Sequence, residues 1–188
     1  MSTYTLANQL LIAMPNMEDP NFTRTVSLMC QHDENGGMGV IINRPIREFS
    51  LPDVLEHLKL EPSNSLTYKH NTVYSGGPVH PELGMILHRG VGNWESTLAI
   101  GEHFGLTTSM DIIQALSQGE GPQDAMFILG YAGWSAGQLE FEIRENAWLN
   151  VPASTELVFD VPVDDRWKIA ASQIGIDLNT LSTEAGHA

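Results

Sequence analysis

Thr25-Val26-Ser27-Leu28-Met29-Cys30-Gln31, then Asp33-Glu34-Asn35-Gly36-Gly37, then Met38-Gly39-Val40-Ile41-Ile42 is a pair of apolar, β-branched runs around a glycine turn, the pattern of a β-hairpin. Alternation in its first strand puts Arg24, Val26, Leu28, Cys30 and His32 on one face and Thr25, Ser27, Met29 and Gln31 on the other. Arg24 and Asn43-Arg44 flank the open end, and Pro45, with no N–H to donate, is expected to end the second strand. Upstream, Leu10 to Met14 reads as a strand closed by Pro15. Downstream, Ser50-Leu51-Pro52-Asp53 opens a capped helix, with apolar spacing through about Leu60. Strands are expected at 72–75, 85–88, 96–100 and 125–129, and Ser109 caps a helix that Gly119 stops. The stretch Trp134 to Asn146 is ambiguous in period, and helix is preferred through Glu142. A last helix is expected from Asp164 or Asp165 to Gln173, followed by a frayed tail from Ser182 to Ala188. Strands and helices alternate without a βαβα rhythm and no linker divides residues 1–188, so a single α+β domain is expected.

Composition narrows the function classes. Among 188 residues, 23 acids oppose 9 lysines and arginines for a formal net charge of −14, the wrong sign for gripping a phosphate backbone nonspecifically. The single cysteine allows neither an intramolecular disulfide nor a cysteine-rich zinc site, which fits a reducing compartment. The N-terminal stretch lacks the basic start and apolar run of a signal peptide, and no apolar run reaches the roughly 20 residues a spanning helix requires. A cytoplasmic protein off the membrane is the expectation.

Three stretches carry the polar chemistry. In the hairpin, Cys30 and His32 lie two apart on one face, either a thiol with its base or a small core residue beside the first residue of a turn. Arg24 and Arg44 approach each other at the open end, where two guanidiniums need an anion or a carboxylate between them. The amide of Asn43 can stabilise the turn into Arg44-Pro45. Gly76-Gly77-Pro78 reads as a tight turn after a strand. In Gly130 to Gln138, backbone N–H groups at a helix start could face an anion, or small residues could let the chain pack closely while Tyr131 and Trp134 fill the core. The seven histidines show no metal-ligand spacing and no cofactor motif is present, so neither metal nor cofactor is expected.

Met14 to Pro45, Tyr74-Ser75-Gly76-Gly77-Pro78-Val79 and Gly130-Tyr131-Ala132-Gly133-Trp134-Ser135-Ala136-Gly137-Gln138-Leu139-Glu140, in that order, make the chain resemble the AlgH/YqgE family of bacterial proteins. The resemblance implies an α+β fold whose bent, bifurcated mixed sheet forms a pseudo-barrel flanked by helices. It brings no settled activity. Leu83 stands where the family usually has arginine, and Gly37 where alanine is common. Three functions stay open. The first is a regulatory or binding module acting through a protein or a small anionic ligand, as the family's association with transcriptional control of alginate production implies. The second is an enzyme using Cys30 or a polar cleft around Arg24 and Arg44. The third is an accessory partner of nucleic-acid-processing machinery, from the family's genomic neighbourhood. For a ligand, Arg24, Thr25, Asn43, Arg44, Gly76, Gly77, Tyr131, Trp134 and Gln138 are expected to border one shared cleft.

Overall fold

The fold is that of a computed structural model, which describes residues 4–61 and 71–184. It is α+β: ten strands form a mixed, mostly antiparallel sheet curled into a half-barrel, with short helices packed on both faces. The hairpin forms as β2 (Val26–Asp33) and β3 (Gly36–Ile41). β1 (Gln9–Ala13) pairs with β2, and β10 (Trp148–Pro152) closes that edge. Next along the sheet from β3 come β9 (Ala125–Ser135), β6 (Val79–Arg89), β8 (Phe104–Thr107) and β7 (Thr97–Ile100).

The sheet forks along one edge of β9. Its first half pairs in parallel with β5 (Thr72–Ser75) through Phe127, Ile128 and Leu129, and its second half pairs with β3 through Ala132 to Ser135. β5 carries one further strand, β4 (Pro45–Ser50). Two partners cannot share one edge at the same height, so β5 must leave where β3 takes over. Gly76 is the hinge of that exchange: its N–H donates to Leu129 O at 2.7 Å and its carbonyl accepts from Ile41 N at 2.8 Å.

Burial on both faces explains the unbroken apolar runs. Leu10, Ile12, Val26 and Leu28 face a core shared with Trp167 of α4 (Arg166–Ser172). Their neighbours Leu11, Ala13 and Met29 face a second core with Trp134, Trp148 and Leu139 of α3 (Gln138–Arg144). A third core joins α1 (Leu51–His57) and α2 (Met110–Ser117) to Ile86 and Phe127. A short 3-10 turn runs into α4, and α5 (Leu178–Glu184) ends the described chain.

Several expectations need correction. Pro45 starts β4 instead of stopping the hairpin, because the chain turns at Asn43-Arg44 and pairs anew with Tyr74. Trp134 lies in a strand and not in a helix: Tyr131 to Ser135 alternates between inward and outward positions, Ala132 to Ser135 take β3 as partner, and the helix starts only after Gly137 turns the chain at φ 75°. The first helix ends at His57, short of Leu60. β8, β10, α5 and the π-helical turn Glu156–Asp160 had no sequence expectation. Of the tail expected to fray, residues 185–188 lie outside the described residues, whereas residues up to Glu184 continue α5. No described helix is long and apolar enough to cross a membrane.

Candidate functional site

At the hairpin's open end, Asn43 does more than set a turn. Its side-chain oxygen accepts from Val26 N at 2.9 Å and its amide donates to Arg24 O at 2.9 Å, extending the ladder by one side-chain rung. Arg24, exposed and in the left-handed region at φ 57°, lays its guanidinium over the Trp167 ring at 5.1 Å. Arg44 points back and donates to Asn21 O at 2.7 Å and Thr23 O at 3.0 Å. Burial lowers its pKa, opposed by the charge of Asp19. Thr25 is buried and donates to Phe22 O at 2.7 Å. Among the described residues neither Arg24 nor Arg44 forms an ion pair. What holds them is backbone carbonyl and ring, so they fasten the 14–25 loop and α4 to the hairpin.

Arg166 completes that arrangement and had no sequence signal. It is 5% exposed, donates to Val161 O at 3.0 Å and to Ile42 O, and lies over the Tyr74 ring at 5.8 Å. Burial lowers its pKa, with Tyr74 working against that shift. A buried guanidinium of this kind is retained where several acceptors surround it.

The glycine motifs are explained by the fork. A Cβ on Gly76 would lie 2.3 Å from Gly130 O and 2.4 Å from Ile128 Cγ2. One on Gly77, whose φ is 151°, would lie 2.2 Å from the Tyr131 carbonyl carbon. Gly130, at φ 76°, receives the carbonyl of Gly77 at 2.6 Å from its own missing Cβ. Asn43-Arg44, Gly76-Gly77 and Gly130-Tyr131 therefore do meet, joined by Ser75 N donating to Arg44 O at 2.8 Å.

Trp134 and Gln138 do not join them. Register pairs Trp134 with Gly37 at the turn end of the hairpin. There Gln138 accepts from Ser135 N at 3.0 Å and donates to Glu142 at 2.8 Å, while Glu142 Oε2 accepts both indole N–H groups, of Trp134 at 3.0 Å and Trp148 at 2.7 Å.

Cys30 and His32 do not form a nucleophile and base. The thiol is buried at a β-bulge, contacts Leu28 O at 3.5 Å, and has its pKa pushed up to about 12 by burial. His32 accepts from Leu6 N at Nδ1 (3.1 Å), so Nε2 carries the proton and donates to Glu140 at 2.9 Å. Both ring nitrogens are occupied by structure. Among the described residues no three His, Cys, Asp or Glu side chains are grouped to hold a metal ion.

The surface feature that sequence reasoning missed is a groove between α1 and α2. Its volume is about 460 Å³, within the usual range of about 300 to 1,000 Å³ for binding pockets. Phe127, Leu129 and Ile113 form its floor, Val54, Leu58 and Met110 its walls, and Asp53, His57 and Glu82 its polar rim. Large apolar side chains that line it stay partly in solvent: Phe49 is 36% exposed, Leu58 36% and Met110 44%. Phe49 stands there because β4 bulges. Ile46 pairs with Val73 and Ser50 with Thr72, so 47–49 are thrown out of the ladder. Beyond Phe49 and Asp53, which line both, a second cavity of about 540 Å³ opens against Arg47, Asn71, Tyr74 and Val163. Such a bulge re-aims side chains next to binding sites. By spacing, Leu58 belongs with Leu51, Val54 and Leu55 on the apolar face of the first helix, but that helix ends at His57 and leaves Leu58 36% exposed; Met110 carried no expectation.

Comparison with known proteins agrees with this architecture. A sequence model described as AlgH-like matches residues 10–179. The chain is 50% identical over 183 residues to a UPF0301 protein of Xanthomonas campestris pv. campestris strain B100, covering 97% of this chain and 96% of that relative. It is 49% identical over 183 residues to a UPF0301 protein of Xanthomonas axonopodis pv. citri, with the same coverage of each chain. The solution structure of the AlgH protein from Pseudomonas aeruginosa is similar with a TM-score of 0.78 and 43% identity, covering 100% of this chain and 98% of that one. A crystal structure of a Corynebacterium diphtheriae protein, 19% identical, shares the fold alone with a TM-score of 0.74 over 97% of this chain and 94% of its own.

Proposed function

The chain belongs to the AlgH-like family, and from that premise we propose that it is a non-catalytic module that docks an apolar segment of a partner protein in the α1–α2 groove. One observation carries this reading: three large apolar side chains, Phe49, Leu58 and Met110, stand partly in solvent while lining one apolar cavity. A patch of this kind costs solubility unless something covers it. The occupant is a different chain and not a second copy, since each copy carries a net charge of −14 and brings the same acid-rimmed face. The buried thiol and the fully engaged His32 argue against covalent chemistry. Any effect on transcription would pass through the partner.

Photo-crosslinking in cells tests this. A benzophenone side chain at Met110 should give a discrete adduct that Leu58→Glu in the same chain removes, while one at Gln138 gives none. Adducts from Gln138 or Arg24 but not from Met110 would place the function elsewhere. A second reading, a small anion at the hairpin's open end, rests on Arg24, which is exposed and unpaired with any carboxylate among the described residues. Titration with phosphate, read at the Trp167 indole, checks it.

A further inference from the structure

Resting on the groove reading above, the geometry points to a basic amphipathic helix as the segment the groove receives. The cavity lies between two short helices over β6 and β9, with Phe127, Ile113 and Leu129 among its lining. A volume of about 460 Å³ takes two or three neighbouring aliphatic side chains, which a helix presents at i, i+3 and i+4 on one face.

Charge selects the flanks of that helix. Among the described residues the groove is lined by the carboxylates Asp53 and Glu82 and the imidazole of His57, with neither lysine nor arginine; Glu48 stands beside Phe49 in the bulge, and Arg47 lines the second cavity. The rim carboxylates are held ionised. Asp53 accepts from Ser50 N at 2.7 Å and Ser50 Oγ at 2.8 Å, and Glu82 takes a backbone N–H and His80 at 3.0 Å, contacts that lower both pKa values. They cap α1 and fasten the start of β6 while leaving their charge at the rim. An acidic helix would meet these charges and the net −14 of the whole chain. A basic one is steered in by both, and its long side chains can lay their stems along Phe49 and Leu58.

The test uses the intact chain and three synthetic 14-residue helices that share a leucine face at i, i+3, i+4 and i+7, with lysine, glutamine or glutamate elsewhere, plus a scrambled lysine/leucine peptide. Binding is followed by fluorescence anisotropy and mapped by methyl NMR. The lysine helix should bind at least tenfold tighter than the glutamine helix. It should shift the Leu58, Met110 and Ile113 methyls, and weaken about three- to tenfold in Glu82→Lys, a rim-charge effect. Equal binding of lysine and glutamine helices, both mapped to the groove and both lost in Met110→Glu, would overturn the basic-helix inference and leave the docking surface standing. Equal binding of the scrambled peptide, shifts spread over other acidic faces, or no binding by any helix would overturn it as well, the last two counting against the groove itself. Met110 is exposed, so Met110→Glu should leave the fold intact, and Leu58→Glu is the independent second variant.

Discussion

Replacing Gly76 by alanine separates the two explanations a glycine motif can have. If Gly76-Gly77 serves a ligand, alanine should alter binding and spare the fold; if it serves the fork, alanine should damage the fold itself. The added methyl at Gly76 would sit 2.3 Å from Gly130 O and 2.4 Å from Ile128 Cγ2. Ordinary carbon contacts need about 3.5 Å, so roughly 1 Å must be found against two atoms. The isoleucine methyl can rotate away. The carbonyl cannot, because it belongs to β9 just where β5 hands over to β3, and the hinge bonds of Gly76 to Leu129 and Ile41 fix the approaching chain. Overpacking of this kind costs about 1–3 kcal/mol. At Gly77 the same clash at 2.2 Å is joined by a φ of 151°, and a strained backbone adds about 1–3 kcal/mol. We therefore expect Gly76→Ala to cost about 2–3 kcal/mol and Gly77→Ala about 3–5 kcal/mol. At about 2–4 °C per kcal/mol for a chain of this length, Tm should fall by roughly 5–10 °C and 10–15 °C. Differential scanning calorimetry with urea titration reads both. Wild-type stability in both variants would refute the fork argument and return the motif to the list of ligand-binding residues.

Other outcomes follow from the same geometry. Cys30 should resist iodoacetamide in the native chain at neutral pH and react only on the timescale of unfolding, and rapid native labelling would mean that its burial is misplaced. Buried His88, bonded to Thr107 Oγ1 at 2.7 Å, has its pKa lowered from 6.5 by burial. The unfolded chain thus takes up the proton first, so this contribution to stability is complete above about pH 6.5 and is lost as pH falls toward the folded pKa. Urea midpoints between pH 7.5 and 5 should show that fall, reduced in His88→Gln. Arg166→Met should destabilise by about 1–3 kcal/mol, since Ile42 O and Val161 O lose their donor while no buried charge is left behind; a stabilised variant would show that the guanidinium's desolvation outweighs its bonds.

The hairpin, β1, β5, the start of β9, α2 and the capped start of α1 were legible because each is announced locally, by alternation, a cap or a glycine stop. The site was less so, for a physical reason. Trp134 and Gln138 carry the same residue types a binding cleft would use, and only the β3–β9 register sends them to the opposite end of the hairpin from Arg44. Arg44 itself was weighed against a carboxylate or an anion, whereas its partners are the carbonyls of Asn21 and Thr23, groups every residue carries and no sequence pattern marks. The groove was hidden for a related reason. Leu58, Met110 and Phe49 lie too far apart in the chain for a local pattern, and meet only because the β4 bulge and two helices converge on β9.

That division bears on where function should be sought in this fold. The stretches that mark the family by sequence, the hairpin ends, Gly76-Gly77 and Gly130-Tyr131, are those on which the fork depends, and their side chains are spent on neighbours within the chain. Positions that build a fork cannot vary without cost, so they tell which fold a chain adopts and not which partner it meets. The groove is free of that constraint: Leu58 and Met110 are more than a third exposed and could change character without unfolding anything. Leu83, where the resemblance leads one to expect arginine, stands between the groove-lining residues Glu82 and Gly84. Alternation along the strand turns its side chain away from the face that Glu82 and Gly84 share, so it does not itself line the groove. Leu83→Arg is thus expected to change the affinities for the lysine and glutamate helices far less than Glu82→Lys does, with Tm unchanged, and anisotropy titrations of both peptides decide it. If Leu83→Arg moves the two affinities as far as Glu82→Lys does, position 83 belongs to the docking surface after all.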